Sequence, residues 1–513
     1  MLHNLGKLLA LTIVALPFPA QAAWQEVTTR HFVIYADERE PVLRDFATRL
    51  EIFDQGVRSV RSMSDPALTD SGKVRIYVFG TFDNIDKFLG ISNARGIYMP
   101  RVTGTIAFVP KIERASSDLA QFNSQIIFFH EYAHHLQLQS TSSVIPRWLV
   151  EGTAEFFSTA KIEKDGSVRF GAPANHRAYD IFTGHDLPLK VMLGDSAGKM
   201  TSQQEDELYG RGWLLTHYLT FEPARRGQLD KYLQVLQQGQ SQLAAAEAAF
   251  GDLGQLDKDL KEYQRRRRLT TLVIDPPAGG AGTITIRPMS AGEAAIMSVR
   301  ARSDRGVNSK SAVGVVADAR AIAASFPSTP AVLTAVAEAE FDAGNYPAAG
   351  AAADRAIALD SSNIDAILFK ARALVATANA AKTAPDWKQV RALLLRANRL
   401  DPDDPEPLMR YYQTFMALRE APSPSAIKGL LYAAALVPQV KDLRFLATQQ
   451  LIRDKQWDEA ARTFSSIAYN PHQGSDSAIK TKAVMEAINS HDPTAIARAL
   501  AVYSGEPDDD SDE

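Results

Sequence analysis

The chain has 513 residues, of which 45% are hydrophobic and 23% are charged, a composition typical of a folded protein with several domains. The formal net charge is −4 and becomes about +2 without the six acidic side chains of Glu506–Glu513, so the charge does not indicate a nucleic-acid or membrane-surface partner. The chain has no cysteine, which excludes disulfides, thiolate metal ligands and cysteine nucleophiles.

Residues 1–22 have the pattern of a secretory signal peptide. Lys7 precedes the apolar run Leu8–Phe18, and Ala20 and Ala22 are the small residues at positions −3 and −1 of a cleavage site. The run is too short to span a bilayer comfortably, although a short membrane anchor is the alternative. The pattern predicts cleavage after Ala22, a periplasmic or secreted protein, and no stable membrane span in the mature chain.

Residues 23–268 are predicted to form one domain of mixed structure. The segments with strand-like patterns are His31–Tyr35, Lys73–Phe79 and Gly104–Val109. Helical spacing of apolar residues is found in Glu40–Val60, Phe82–Leu89, Asp118–Leu138, Pro146–Phe157, Gln204–Thr220, Gly227–Gln237, Gln242–Phe250 and Leu256–Arg266. A few strands followed by a mostly helical half predict an α+β fold.

The sequence changes character after residue 268. Two β-like runs, Thr270–Ile274 and Thr283–Ile286, flank a turn sequence rich in proline and glycine. They predict a short β-rich connecting segment over 269–300, and we place the domain boundary there. The final residues, 501–513, are predicted to be a disordered acidic tail.

Residues 310–500 are rich in alanine and repetitive. Ala356, Ala397 and Ala433 are equivalent positions of one motif, at spacings of 41 and 36 residues, and Gln456–Ala461 keeps another part of the pattern. The pattern resembles degenerate tetratricopeptide repeats with short insertions, and a generic helical bundle is the alternative. Because stacked helix pairs commonly bind peptides or proteins, we expect the repeats to recruit a substrate or partner, and each half to fold alone if the chain is cut near residue 300.

A His-Glu-x-x-His motif lies within an apolar run, at His130, Glu131 and His134. On a helix, positions i and i+4 share a face, so both imidazoles could reach one metal ion. Glu131 would stand beside them as the acceptor of a proton from a metal-activated water. A solvated helix is the alternative interpretation. His135 points about 100° away from His134 around such a helix and is not predicted to be a ligand.

The sequence Trp148-Leu149-Val150-Glu151-Gly152-Thr153-Ala154 follows 14 residues after His134. Together with the first motif it resembles the gluzincin zinc metallopeptidases, the clan of thermolysin and aminopeptidase N. The run His31–Tyr35, the long helix after it and the closing segment Phe250–Tyr263 are similar to the compact bacterial peptidase MA-like branch. The resemblance implies that His130, His134 and Glu151 bind one zinc ion per chain and that Glu131 is the general base. It also implies that Glu155 orients a ligand histidine, with a solvated glutamate as the alternative.

The same resemblance extends to Tyr209 and to the strand Gly104–Val109. Aminopeptidase N-like enzymes place a tyrosine before a glycine at a helix start, and the segment Tyr209-Gly210-Arg211-Gly212 is similar, which implies that Tyr209 hydrogen-bonds the oxyanion. A core tyrosine is the alternative, with His217 as the second candidate donor. We expect this strand at a sheet edge, where substrate could add as a further strand. It lacks the acid with which aminopeptidases bind a free amine, and this departure from the aminopeptidase pattern favours an endopeptidase.

The sequence thus predicts an exported zinc-dependent peptidase that hydrolyses peptide bonds of a peptide or protein substrate, with repeats that recruit substrate or a partner. Two alternatives remain open at this point. One is a periplasmic interaction protein whose zinc domain is inactive or has no peptidase activity. The other is a zinc hydrolase that acts on something other than a protein chain.

Overall fold

The structure, a computed structural model, describes residues 24–78, 88, 97–110, 124–140, 145–183, 187–194, 200–468 and 475–505. The predicted signal peptide, the predicted helix Phe82–Leu89 except for Phe88, the start of the predicted helix Asp118–Leu138 and residues 506–513 of the acidic tail lie outside the described residues. Within the described part of the chain, no helix combines the length and the apolar character needed to cross a membrane.

The N-terminal half is built on a mixed sheet. Its strands are β1 (Gln25–Thr28), β2 (Phe32–Ala36), β3 (Val74–Val78), β4 (Ile97–Met99), β5 (Ile106–Val109) and β9 (Thr285–Pro288). Among the described residues the order across the sheet is β4-β5-β3-β2-β1-β9. Strands β2, β3 and β5 run parallel, whereas β4, β1 and β9 join antiparallel. The strand expected at the sheet edge, Gly104–Val109, therefore lies one position inside, and β4 forms the edge.

The central strands are apolar on both faces because both faces are covered. All five residues of β2 are buried, as expected for a parallel strand between two layers. One face packs on the helices α1 (Glu40–Val60) and α2 (Ser124–Ser140) through residues such as Ile34 and Ile76. The other face carries Tyr35 and Tyr77 and packs on helix α10 (Ala291–Arg305).

Of the seven α-helices described over residues 147–263, five begin and end close to their predicted bounds, whereas the two short helices Ala178–Phe182 and Leu189–Met192 were not predicted. The seven helices are α3 (Arg147–Ser158), α4 (Ala178–Phe182), α5 (Leu189–Met192), α6 (Ser202–Phe221), α7 (Gln228–Gln237), α8 (Gln242–Phe250) and α9 (Leu253–Tyr263). The largest shift is at α9, which begins three residues before the expected Leu256. The Asp252 side chain accepts a hydrogen bond from the backbone N–H of Gln255 at 2.8 Å and so caps the helix there.

The segment predicted as a β-rich connection contributes strands to both sheets of the N-terminal half. A second sheet, of three strands within the described residues, has the order β6 (Lys161–Ile162), β7 (Val168–Phe170), β8 (Leu272–Ile274). Strand β8 pairs with β7, and β9 pairs with β1 across more than 250 residues of sequence. Residues 269–288 therefore complete the N-terminal half, and the rest of the segment predicted to be β-rich, from Ala291 onward, is instead the first two-thirds of α10.

The C-terminal half is helical and repeat-like. After α10 come α11 (Ser309–Ser325), α12 (Pro330–Asp342), α13 (Tyr346–Leu359), α14 (Ile364–Ala380), α15 (Trp387–Leu400), α16 (Pro405–Leu418), α17 (Pro424–Leu436), α18 (Lys441–Arg453), α19 (Trp457–Ala468), α20 (Ser475–Ser490) and α21 (Pro493–Ser504). Successive helices pack on one another. The recurring alanines Ala356, Ala397 and Ala433 are all fully buried, since a small side chain is needed where neighbouring helices approach closely. The coarse layout predicted from the sequence, a mixed sheet followed by a repeat-like helical region, is confirmed.

The repeat-like helices also contact the sheet directly. The Tyr77 hydroxyl donates to the Asp304 carboxylate at 2.5 Å, and the Ser71 hydroxyl donates to that of Asp401 at 2.8 Å. Further along, the Gln439 amide donates to the Thr105 hydroxyl at 3.1 Å. The helical half therefore touches the sheet at several separate points.

Candidate metal centre

Helix α2 carries the His-Glu-x-x-His motif and is fixed by aromatic packing. Phe129 stacks on Phe53 of α1 with ring centroids 3.8 Å apart, and Tyr132 packs against Phe32 of β2 with centroids 5.0 Å apart. Both rings are buried in the main core. These contacts fix the rotation of the helix about its axis.

Helices α3 and α6 meet at two glycines. A Cβ atom at Gly152 would lie 2.3 Å from the carbonyl oxygen of Gly212, and one at Gly212 would lie 2.7 Å from the carbonyl oxygen of Trp148. Only glycine permits this backbone approach. Since Gly152 follows Glu151 directly and Gly212 lies three residues after Tyr209, the crossing brings these two predicted site residues to the same region.

The three predicted ligands converge. The Nε2 atoms of His130 and His134 are 3.1 Å apart, and each lies 3.3 Å from Oε2 of Glu151. In a tetrahedral zinc site with bonds of about 2.0–2.2 Å, neighbouring donor atoms are separated by about 3.3 Å. Two imidazoles and one carboxylate are also a donor set of catalytic zinc sites. The donor types and their separations therefore fit a zinc ion with one further position open.

The surroundings of these donors carry an excess of negative charge. Glu151 is fully buried, and Glu131, between the two histidines in sequence, is half-buried. Burial alone would lower the pKa of His130, but the hydrogen bond to Glu151 and the charges of Glu155 and Glu131 outweigh it and raise the pKa to about 9. The same carboxylates that stabilise a protonated His130 would stabilise a bound cation.

Glu155 lies behind His130 and holds two residues that sequence reasoning did not identify. Its Oε1 is 3.6 Å from Nδ1 of His130, and its two oxygens lie 2.8 Å from Nε2 of His176 and from Nε of Arg177. Burial would raise the pKa of Glu155, but the His176 hydrogen bond and the Arg177 charge lower it to about 2. No motif surrounds His176 and Arg177, so only the folded chain shows their role.

Tyr209 lies beside the three donors. Its ring centroid is 5.9 Å from that of His130, and the guanidinium of Arg177 lies over the ring at 4.6 Å. Burial and the charge of Glu151 raise the pKa of Tyr209 above its usual value. Its hydroxyl is therefore protonated and available as a donor near neutral pH.

Two other histidines are engaged elsewhere. His217 is fully buried: its Nε2 donates to the carbonyl of Gly171 at 3.0 Å, and its Nδ1 accepts from the Tyr263 hydroxyl at 2.9 Å. Burial lowers the pKa of His217 to about 4. His135 is also buried, stacks on Tyr132, and is bonded to the Tyr98 hydroxyl. Neither ring points a nitrogen at the three donors.

A second group of close donor atoms among the described residues, at His31, Asp54 and Asp65, forms an ion network. Nδ1 of His31 is 2.8 Å from Glu51 and its Nε2 is 2.9 Å from Asp65. Asp54 accepts hydrogen bonds from Arg58 at 2.8 Å and from the Tyr132 hydroxyl at 2.8 Å. Because these donors are already neutralised by arginine and histidine, the group does not fit a metal site.

Known proteins offer one point of comparison. A search among curated proteins found no match to the chain. Residues 127–241 match a family described as "Protein of unknown function (DUF1570)". The matched segment takes in His130, Glu131, His134, Glu151, Glu155 and Tyr209. The chain therefore carries a DUF1570 domain, which begins within α2 and contains all of the candidate centre.

Proposed function

We propose that this protein is a zinc-dependent peptidase of the gluzincin type, with His130, His134 and Glu151 as the metal ligands. The observation that carries the proposal is the convergence of these donor atoms at the separations of a tetrahedral zinc site. When bound there, zinc would supply Lewis-acid polarisation of a carbonyl and an activated water. One zinc ion per chain is expected.

Two neighbouring residues, Glu131 and Tyr209, supply the proton acceptor and the oxyanion donor that peptide hydrolysis needs. Glu131 is half-buried, follows His130 directly and precedes His134 by three residues, and it accepts the proton of the attacking water at its carboxylate. Tyr209 donates a hydrogen bond to the developing oxyanion from the side of His130. A site that only stabilised the fold would need neither group, and this favours a catalytic site over the alternative of an inactive zinc domain.

The kind of peptidase is proposed from the side chains of strand β5 and of the turn before it. The described residues of β5 and of the turn before it, 103–109, carry no acid that could bind a free amino terminus. We therefore propose an endopeptidase, exported by its predicted signal peptide. The repeats are proposed to be of the tetratricopeptide type and to bind a protein partner or substrate, a use that arrays of paired helices commonly have.

Two variants of the mature protein test the centre. His134→Ala removes one of three ligands and is expected to abolish tight zinc binding, as measured by metal analysis after dialysis. Glu131→Gln keeps every ligand, so it is expected to bind one zinc per chain yet cleave a peptide library at a rate lower by about 10² or more. Each variant is the control for the other.

The same digest tests the class of peptidase. Peptides with blocked amino termini are expected to be cleaved at nearly the rate of unblocked ones. A requirement for a free amino terminus would contradict the endopeptidase assignment. Full activity in Glu131→Gln, or a full equivalent of zinc in His134→Ala, would contradict the proposed centre itself.

A further inference from the structure

Arg177 contacts two parts of the candidate centre at once. It lies in the 3₁₀ turn Asn175–Arg177, directly before α4, and its side chain is 16% exposed. Nε and a terminal nitrogen of the guanidinium both lie 2.8 Å from Oε1 of Glu155. The guanidinium carbon also lies 4.6 Å from the centroid of the Tyr209 ring.

These two contacts use different properties of one planar group. The edge of the guanidinium donates to a carboxylate, and the same cation lies over the face of an aromatic ring, so one group makes both contacts at once. A lysine offers a point charge on a flexible stem and can do only one of the two well. The contacts therefore depend on arginine in particular, beyond its charge.

Glu155 connects Arg177 to the proposed ligand His130. Its Oε1, which Arg177 binds, is 3.6 Å from Nδ1 of His130, while Oε2 lies 2.8 Å from His176. With both carboxylate oxygens held, the carboxylate has a fixed position behind the imidazole. Tyr209 also connects Arg177 to His130, because the Tyr209 ring packs beside the same imidazole with centroids 5.9 Å apart.

We propose that Arg177 is a positioning residue, which holds Glu155 behind His130 and Tyr209 beside it in a single arrangement. It orients a metal ligand and an oxyanion donor together and does not itself touch the substrate. This inference rests on the proposed function of His130 and Tyr209. It predicts that the zinc affinity and the turnover of the protein both depend on one side chain outside the ligand set.

The first test needs no catalytic activity. In Arg177→Met, a chain of similar length without charge, the zinc affinity measured by competition with a chelator is expected to fall by about 10–100-fold. Arg177→Lys is expected to recover only part of this loss. Arg169→Met is the matched control: Arg169 makes an exposed ion pair with Glu163 at 3.1 Å and donates to the Thr271 hydroxyl at 3.1 Å. Neither partner belongs to the candidate centre, so the loss of Arg169 should leave the affinity unchanged.

The second test is a double-mutant cycle at saturating zinc. Tyr209→Phe is expected to lower kcat by about 10²-fold. Arg177→Met is expected to lower kcat with little change in KM, because it displaces a donor that acts in the transition state. In the double variant the loss of kcat should be much smaller than the product of the two single losses, because Arg177 acts through Tyr209.

Each outcome decides the proposal. Unchanged zinc affinity in Arg177→Met, or losses in kcat that multiply in the double variant, would overturn it. If Arg177→Met lowered the melting temperature but left the zinc affinity and kcat at their wild-type values, Arg177 would have a structural role only, and the proposal would also be overturned. If the wild-type protein cleaved no peptide, the proposed function would fail separately, and the zinc affinities alone would then support or overturn the positioning role.

Discussion

At the scale of single residues, the back of helix α2 is fixed by buried charge. Tyr132 lies between the two proposed histidine ligands in sequence and donates to Asp54, which Arg58 also binds. His31 joins this network through Asp54, whose carboxylate lies 3.4 Å from Nδ1 of His31, and it also pairs with Glu51 and Asp65. Such a network is costly to break because removing one member leaves another charge buried without its partner. The orientation of helix α2 therefore depends on ion pairs on the side away from the candidate metal centre.

His31 gives the network a pH dependence. Burial would lower its pKa, but the Glu51 hydrogen bond and the charges of Asp54 and Glu51 outweigh it and raise the pKa above 6.5. The folded state therefore binds the proton more tightly than the unfolded state does. The stabilisation is present in full below the unfolded value and is lost as the pH rises through the higher folded value.

We therefore expect His31→Gln to lower the melting temperature more at about pH 6 than at about pH 9, with a difference of about 2 °C or more. Thermal unfolding followed by circular dichroism at both pH values measures this. Arg30→Gln, which removes an exposed partner of Asp65 at 3.1 Å, is the control and should show a much smaller effect. An equal cost of His31→Gln at both pH values would show that the imidazole is neutral in the folded protein.

At the scale of elements, the crossing of α3 and α6 decides where Glu151 and Tyr209 lie. The closest approach is between Gly152 and Gly212, where the space available is smaller than a methyl group. A side chain there would have to push the two helices apart. Because these helices carry one proposed ligand and the proposed oxyanion donor, such a shift would separate them.

Gly152→Ala is therefore expected to destabilise the protein by about 3 kcal/mol or more, as overpacking of a tight contact does, and to weaken zinc binding as well. Gly314→Ala is the matched control. Gly314 lies within α11 with no atom within 4 Å of an added Cβ, so alanine there should stabilise the helix by about 1 kcal/mol. Melting temperature and zinc content distinguish the two. A stable, zinc-loaded Gly152→Ala protein would show that the crossing is less rigid than the structure indicates.

Elements differ in how far the sequence alone predicted them. Helices such as α8 were predicted with their bounds because apolar spacing and capping residues are local properties of the sequence. The pairing of β9 with β1 was not predicted, since partners more than 250 residues apart leave no local pattern. The edge strand β4 was not predicted because a run of three residues, Ile97–Met99, is too short to show the alternation of a strand. Arg177 and His176 were missed for the same reason: they reach the centre only because α4 packs on α6.

At the scale of the whole molecule, the helical half packs against the sheet of the N-terminal half. Helix α10 covers one face of the sheet, where Met297 and Ala301 pack on Tyr35, Tyr77 and Phe108. Polar contacts at Ser71 and Thr105, which lie just before β3 and β5, join Asp401, directly after α15, and Gln439, between α17 and α18, to the same side of the molecule. Part of the surface that repeats could offer to a partner is therefore occupied by the chain's own N-terminal half.

This packing changes what is expected of a shortened chain. The sequence alone suggested that a cut near residue 300 would release an independent domain. Such a cut falls inside α10 and removes Asp304, the partner of the buried Tyr77 hydroxyl. Each large apolar side chain left exposed would forfeit about 1.5–3 kcal/mol of burial. The sheet would be uncovered on the face that it shares with the repeats.

We therefore expect a chain of residues 24–300 to bind the dye ANS strongly, to elute as aggregates from gel filtration, and to hold little zinc. A chain of residues 24–455 is the control, because it keeps α10 together with the contacts of Asp401 and Gln439 and loses only the helices from α19 onward. That chain should remain monodisperse and keep its zinc and its activity on small peptides. A monodisperse, zinc-loaded chain of residues 24–300 would show instead that the sheet is stable without the helices that cover it, and that the two halves are independent.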